Sequence, residues 1–251
     1  MGRQRLDIEL VRRGLIESRE KAKIAILEGR VLHNGHKAKK PSDWVLESGK
    51  IEVIAPERYV SRGGIKLEHA LNSFKLFLEG IVALDVGAST GGFTDCLLQH
   101  GAGLVYSIDV GQGQLAWKLR NDPRVVVMEK VNARFLRKDQ FPIDFTAADM
   151  IVVDCSFISL RLILPPIIPF LKKGGTIIAL IKPQFEAGKT EVSKGRGVIT
   201  DPEIHQRVLA GLRVFCKELV GISWKECVQS PILGPAGNKE FLVHLQYFNK
   251  E

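Results

Sequence analysis

Residues 81–93, Ile-Val-Ala-Leu-Asp-Val-Gly-Ala-Ser-Thr-Gly-Gly-Phe, form an apolar run that ends on Asp85 and then breaks into glycines. Such a run predicts a buried strand that turns into a backbone loop able to lie against a bound nucleoside. One strand–helix unit later, Leu104-Val-Tyr-Ser-Ile-Asp-Val110 repeats the pattern and leaves Asp109 at a strand end. A carboxylate there can accept both hydroxyls of a ribose. Together the two segments call for strands and helices in alternation, with a ligand site at the carboxyl ends of the strands.

The glycine spacing narrows the ligand. Gly87, Gly91 and Gly92 are set as G-x-x-x-G-G, not the G-x-G-x-x-G that presents a helix N-terminus to a pyrophosphate. Gly188-Lys189-Thr190 hints at a triphosphate loop, but that motif needs a glycine where Pro183 stands. What remains is an uncharged nucleoside with a zwitterionic tail, which is S-adenosylmethionine. Its expected contacts are Asp85, Gly87, Ala88, Ser89, Gly91, Gly92, Phe93, Asp109 and Val110. A lone glycine loop could equally be a tight turn, and Asp109 weighs against that reading.

With 251 residues, 45% of them hydrophobic, the chain suits one large domain or a catalytic domain with a small appendage. The start of the chain has no apolar stretch, and the segment Leu160–Leu171 is broken by Pro165, Pro166 and Pro169, so no membrane span is expected. Cys96, Cys155, Cys216 and Cys227 form no C-x-x-C pair, and the histidines stand singly. Neither a metal site nor a disulfide framework is signalled, which suits a reducing cytoplasm. The net charge of +8 is uneven: Arg12 to Lys40 holds nine Lys/Arg against three Glu, a local +6. Charge gathered at one end beside a nucleoside-binding domain favours a polyanionic partner over a solvated face.

Leu6, Leu10 and Val11 fall on one helical face that Gly14 ends; Ser18 can cap a second helix, which Gly29 closes. Short strands follow at Val31-Leu32, Trp44-Val45 and Ile51–Ile54, with a turn at Asn34-Gly35. Arg5-Leu-Asp7, Arg13-Gly-Leu15, Ser18-Arg19, Gly29-Arg-Val31, Asn34-Gly35 and Lys40-Pro41 resemble the S4-like RNA-binding module shared by a small-subunit ribosomal protein, tyrosyl-tRNA synthetases and pseudouridine synthases. His33 stands where that module often has valine. The resemblance implies RNA contacts from Arg5, Arg12, Arg13, Arg19, Lys21, Lys23, Lys37, Lys39 and Lys40, made to shape and phosphate more than to bases. A basic adaptor for a protein partner is the competing reading. Ala55-Pro-Glu-Arg-Tyr59 reads as a linker, giving an RNA-binding domain over 1–60 and a catalytic domain over 61–251.

Beyond Ser61, strands are expected at 81–86, 104–110, 125–128, 149–154 and 176–182, with helices near 66–78, 92–100, 112–120, 158–171 and 202–219. The alternation predicts an α/β, Rossmann-like sheet, doubly wound and mainly parallel. Two last strands, near 221–229 and 241–247, are expected to pair antiparallel at one edge. Asp154 and Lys182 end apolar runs and so emerge at the same rim as Asp85 and Asp109. Ionisable groups there need a purpose or a partner, and a plain rim salt bridge between these two is the alternative.

Ser61-Arg-Gly-Gly-Ile-Lys-Leu67, Asp85–Phe93, Val153-Asp-Cys-Ser-Phe-Ile-Ser-Leu160, Ile181-Lys-Pro-Gln-Phe-Glu186 and Gly237-Asn-Lys-Glu240 are similar, in order and nearly end to end, to the TlyA (haemolysin A) family of ribosomal RNA methyltransferases, relatives of the FtsJ-type ribose 2'-O-methyltransferases. That resemblance implies a class I S-adenosylmethionine-dependent enzyme acting on cytidine ribose in ribosomal RNA within ribosomal subunits, without a metal or a membrane. It places the family's Lys-Asp-Lys-Glu tetrad on Lys66, Asp154, Lys182 and Glu240, and gives Asn132 the adenine contact that many methyltransferases assign to Asp. Arg62, Phe157 and Arg161 are further candidates for RNA contact at the rim, although an aromatic such as Phe157 is more often core. The stretch from Lys182 to Ile199, with Lys189, Lys194 and Arg196 among glycines, reads either as a loop closing on RNA or as a plain connector.

Ribose methylation needs the 2'-hydroxyl aligned with the sulfonium methyl and relieved of its proton. A lysine takes a proton only when neutral, so its free pKa of about 10.4 has to fall through desolvation or a neighbouring cation. Lys182 is the expected base, with Lys66 as the neighbouring cation, Asp154 orienting the amine or the hydroxyl, and Glu240 holding Lys66. A non-enzymatic ribosome assembly factor on the same fold is the competing function. The haemolysin name suggests a cytolysin, against which stand the lack of a signal peptide, a span or a long amphipathic basic helix.

Overall fold

A computed structural model of the chain describes residues 2–55 and 57–248, apart from the side chains of Lys189 and Lys194. The chain divides into two units, Met1–Arg58 and Tyr59–Glu251. The first contains β1 (Arg3–Arg5), α1 (Leu6–Arg12), α2 (Arg19–Leu27), β2 (Val31–His33), β3 (His36–Lys37), β4 (Trp44–Leu46) and β5 (Ile51–Val53). The Ser18 hydroxyl accepts from the Lys21 amide to start α2, and Gly14 and Gly29 stop the two helices with φ of +68° and +70°. The strands make two small antiparallel sheets, β3-β2-β5 and β1-β4. No apolar alternation marks β1; it exists because β4 pairs with it. Leu6, Leu10, Ala25, Ile26, Val31 and Val45 fill the core.

Asp7 and Glu9 are fully buried in this unit. Asp7 accepts from Arg5 Nε at 3.1 Å and Arg19 Nε at 2.8 Å, and Glu9 from Arg12 Nε at 2.7 Å and Arg13 Nε at 2.6 Å. Arg13 also donates to the carbonyls of Gly49 and Glu47. Four of the arginines expected to face RNA therefore spend guanidinium N–H groups on internal acceptors. Lys21 pairs with Glu17, whereas Lys23, Lys37, Lys39 and Lys40 make no salt bridge among the described residues.

Burial alone would raise the Asp7 carboxyl, but hydrogen bonds from Arg5 and Arg19 outweigh it and hold the group at about 2. Hydrogen bonding from Arg12, opposed by burial and helped by Arg13, holds Glu9 at about 2 as well. Both folded values lie below ordinary carboxylate values, so the stabilisation is complete above the unfolded values and is lost as pH falls toward the folded ones. Hydrogen-exchange protection of α1, corrected for intrinsic rates, is expected to decline between about pH 5 and about pH 2, and to start lower and change less in an Asp7→Asn, Glu9→Gln variant. A flat profile in the unaltered protein contradicts this.

The second unit runs α3 (Gly63–Phe74), β6 (Val82–Val86), α4 (Gly92–Gln99), β7 (Leu104–Ile108), α5 (Trp117–Arg120), β8 (Val125–Met128), β9 (Ala148–Val153), α6 (Leu160–Ile167), β10 (Leu171–Ile181), α7 (Pro183–Glu186), α8 (Lys189–Lys194), α9 (Pro202–Glu218), β11 (Ile222–Gln229) and β12 (Phe241–Tyr247). Seven strands form one sheet in the order β11-β12-β10-β9-β6-β7-β8. It is parallel from β10 to β8, with β12 antiparallel to β10 and β11, as the sequence pattern predicts. Leu84, Val86, Ile151, Val153 and Ile177 share a core with α6 and α9, while Ala83, Met150, Val152 and Ile178 pack with α3 and α4. Burial on both faces is why these strands read as unbroken apolar runs.

Several expectations change. Tyr59, read as linker, is 2% exposed in the core of the second unit, where a Cβ on Gly64 would lie 2.2 Å from its ring. The helix expected over 112–120 shrinks to the single turn of α5, because the amides of Gly111 and Gly113 are spent on the side chains of Asp109 and Glu129. The prolines limit α6 to Ile167, and Ile168–Phe170 continues as a 3-10 turn. The stretch after Lys182 holds two short helices instead of an open loop. Its far end is pinned by buried Asn238, which accepts from the Ile199 amide at 2.9 Å and donates to the Gly197 carbonyl at 2.9 Å.

Candidate active site

Strand direction decides what meets at the rim of the sheet. β6, β7, β9 and β10 run parallel, so Gly87, Asp109, Asp154 and Lys182, each just past a strand end, emerge on one side. β12 runs the other way with Phe241 opposite Ile181, and so delivers Glu240 to that same rim. Lys66 comes from the first turn of α3.

Lys66 Nζ lies 2.5 Å from Glu240 Oε2, with Lys66 6% and Glu240 1% exposed. Lys182 Nζ lies 2.6 Å from Asp154 Oδ1 in an ion pair and donates to Ser156 Oγ at 2.8 Å. Lys66, Asp154, Ser156 and Lys182 line one cleft with Arg62, Gly92 and Phe93, while Glu240 backs Lys66 from outside the lining. Charges buried this deeply are tolerated as pairs: removing Glu240 strands Lys66 at a cost of about 3–5 kcal/mol. Gly234 makes room for the acid, since a Cβ there would meet Glu240 Oε1 at 2.5 Å.

The glycine loop forms the wall between this cleft and a second one. Gly87 has φ +86°, and a Cβ on it would stand 2.7 Å from the Asp154 carbonyl, so only bare backbone fits. Asp109 is fixed by the amides of Ser89 at 2.8 Å and Gly111 at 2.6 Å, one on each carboxylate oxygen. Each oxygen keeps a lone pair for a ligand hydroxyl. Gly87, Ser89, Asp109, Val110 and Asn132 line a cleft of about 440 Å³, within the roughly 300–1,000 Å³ usual for small-molecule sites. The two clefts share Gly87, Ser89, Asp154 and Ser156.

The expected cofactor residues thus divide. Ala88, Gly92 and Phe93 line the lysine cleft, and Gly91 lines neither, serving as the turn into α4 at φ +95°. Asp85 is also outside both linings, fully buried, with Oδ2 accepting from Thr94 at 2.6 Å and Oδ1 without a hydrogen-bond partner among the described residues. Burial, opposed by the Thr94 hydrogen bond and reinforced by the Asp154 charge, pushes it up to about 7. Asn132 spends its side-chain oxygen on the Arg134 amide, leaving its NH₂ for a ligand.

Phe157 is not core: it is 90% exposed at φ +63°, with its ring 5.1 Å from that of Phe185. A left-handed conformation at a bulky residue costs on the order of 1–2 kcal/mol, and here it turns the ring outward over the second cleft. Arg161 is turned onto the Phe215 ring, 5.1 Å away. Arg62 and Arg196 are exposed, and the side chain of Lys189 lies outside the described residues. Sequence reasoning missed Ser156, Asn238 and Gly234; each sits within the matched motifs or the loop before Glu240, but their partners are distant in sequence. Glu186 accepts from Ser159 Oγ and the Leu160 amide, which ties the Lys182 segment to the Asp154 segment. No group of His, Cys, Asp and Glu among the described residues is arranged to hold a metal ion, and no described helix is long and apolar enough to cross a membrane.

Residues 59–247 match the FtsJ-like methyltransferase family, and residues 4–50 match the S4 domain. The chain belongs to the FtsJ-like methyltransferase family. The 16S/23S rRNA (cytidine-2'-O)-methyltransferase TlyA of Mycobacterium tuberculosis is 43% identical to this FtsJ-like protein over 97% of the chain and 90% of the relative. A solved structure from Streptococcus thermophilus that carries a hemolysin name is 44% identical, with a TM-score of 0.73 over 99% of this chain and 90% of that one. A more distant fold neighbour is fibrillarin from Aeropyrum pernix with natively bound S-adenosyl-L-methionine, at 16% identity and a TM-score of 0.51 over 79% of this chain and 90% of that one.

Gly87→Ala in this FtsJ-like methyltransferase forces a side chain into a left-handed backbone and against the Asp154 carbonyl. Stability is expected to fall by about 1–3 kcal/mol and S-adenosylmethionine binding to fall with it. Thermal unfolding and titration calorimetry check both, and a Gly87→Ala protein of unchanged stability and affinity contradicts the packing described.

Proposed function

We propose that this enzyme transfers the methyl group of S-adenosylmethionine to the ribose 2'-hydroxyl of cytidine in ribosomal RNA, within ribosomal subunits in the cytoplasm. One observation carries the reading: a nucleoside-sized cleft ending in Asp109 opens, across Gly87, into a cleft lined by the Lys182–Asp154 pair and Lys66. The named activity of the M. tuberculosis relative supports the same chemistry.

Asp109, Val110 and Asn132 would hold the adenosine, with the bare backbone at Gly87 beside its tail. When bound, S-adenosylmethionine supplies a methyl group activated on a sulfonium centre. The chain's own work concerns the hydroxyl. Lys182 Nζ, once neutral, would take the 2'-hydroxyl proton as the oxygen accepts the methyl group that the cofactor would supply, the old carbon–sulfur bonding pair staying on the departing thioether. Asp154, in an ion pair with that amine, keeps it at the rim. Lys66, held by Glu240, places positive charge beside the oxygen as its proton leaves. The lysines Lys23, Lys37, Lys39 and Lys40, together with Lys189 and Arg196, serve as phosphate contacts, and Phe157 offers an exposed ring to a base. The N-terminal unit holds RNA and the second unit carries out transfer.

Incubation with tritiated S-adenosylmethionine and unmodified ribosomal subunits is expected to place label in ribose, recovered as an alkali-resistant dinucleotide. Lys182→Ala should lower the rate by about 10²–10⁴-fold. Label in a base, or in protein only, overturns the proposal.

A further inference from the structure

Ser156 belongs to neither the glycine loop nor the Lys-Asp-Lys-Glu set, yet it lines both clefts at their junction. Its Oγ accepts from Lys182 Nζ at 2.8 Å, whereas Asp154 Oδ1, 2.6 Å from the same amine in an ion pair, takes no hydrogen bond among the described residues. The ion pair therefore attracts the Lys182 amine without fixing its rotation. Ser156 Oγ holds one N–H of that amine and so sets how the remaining positions on nitrogen face the cleft that Lys182 and Lys66 line together.

The backbone supports the same reading. Phe157, the next residue, is held at φ +63°, where a bulky side chain rarely stays without compensation. That turn sends the Phe157 ring outward and leaves the preceding hydroxyl against Lys182. Asp154, Ser156 and Phe157 thereby act from one short, strained segment.

We infer that Ser156 is a positioning residue for Lys182, the hydrogen-bond acceptor that directs the amine toward the substrate hydroxyl. The inference rests on the 2'-O-methylation reading and deepens it. Ser156 does not take the proton: Lys182 does, and Ser156 sets the direction from which it is taken.

Ser156→Ala, measured on ribosomal subunits under saturating S-adenosylmethionine, is expected to lower kcat by about tenfold to a hundredfold with KM for the subunit unchanged, as for a misdirected catalytic group. Ser156→Thr keeps the oxygen and should recover most of the turnover. Without any ligand, a crystal structure of the Ser156→Ala protein should show Lys182 Nζ turned away or spread over several rotamers, with thermal stability unchanged. Wild-type kcat in Ser156→Ala, alongside an inactive Lys182→Ala, sinks this inference and leaves the reaction standing. A raised KM at constant kcat makes Ser156 a binding contact and also sinks it. Absence of ribose methylation by the unaltered protein removes the reading and the inference together.

Discussion

The antiparallel pairing of β12 on β10 is the constraint on which the site depends. Parallel strands alone would bring Gly87, Asp109, Asp154 and Lys182 to the rim, but they would leave Lys66 buried without a counter-charge. Because Phe241 pairs with Ile181, Glu240 arrives at the carboxyl rim from a strand that starts there instead of ending there. The result is two amines and two acids in two close pairs, at 2.5 Å and 2.6 Å. Buried as pairs they are tolerable; singly each would be driven to neutralise or to reach water. The edge hairpin, which in an open sheet could be incidental, is therefore part of the chemistry.

Close backbone approach is the second requirement. Gly87 lets the loop after β6 pass within contact of Asp154, and Gly92 lets α4 meet α3, where a Cβ would lie 3.0 Å from the Gly64 amide. These contacts bring three separate segments, the Ser61–Gly64 turn, the glycine loop and the Asp154–Phe157 turn, against one another. Lys66 reaches the rim because α3 is packed this tightly. Where larger side chains stood, the two clefts would be held apart.

The strands and the mainly parallel character of the sheet were largely legible in the sequence, because burial on both faces writes unbroken apolar runs for Val82–Val86, Leu104–Ile108, Ala148–Val153 and Ile177–Ile181. Asp109, Asp154 and Lys182 were legible for the same reason, as charged residues ending such runs. Lys66 and Glu240 were not; periodicity leaves them looking like surface charges, and only the family likeness singled them out. Ser156 and Asn238 escaped because their roles are set by partners 26 and 39 to 41 residues away. The arginines of the N-terminal unit carry a second, internal role that composition does not show. The basic stretch encloses Asp7 and Glu9, whose burial has no signature in composition, and four guanidiniums that stay partly exposed pair with them. Short elements were the other casualty: β1 forms only by pairing with β4, and α7 and α8 lie where glycines suggested an open loop.

A diffraction structure of the protein with S-adenosylhomocysteine bound is the most direct check on the idea that two adjoining clefts divide donor from acceptor. The adenosine should occupy the Asp109 cleft, and the sulfur should sit at the Gly87–Ser156 seam facing Lys182. A nucleoside seated in the Lys66 cleft, or away from Asp109 altogether, would contradict it.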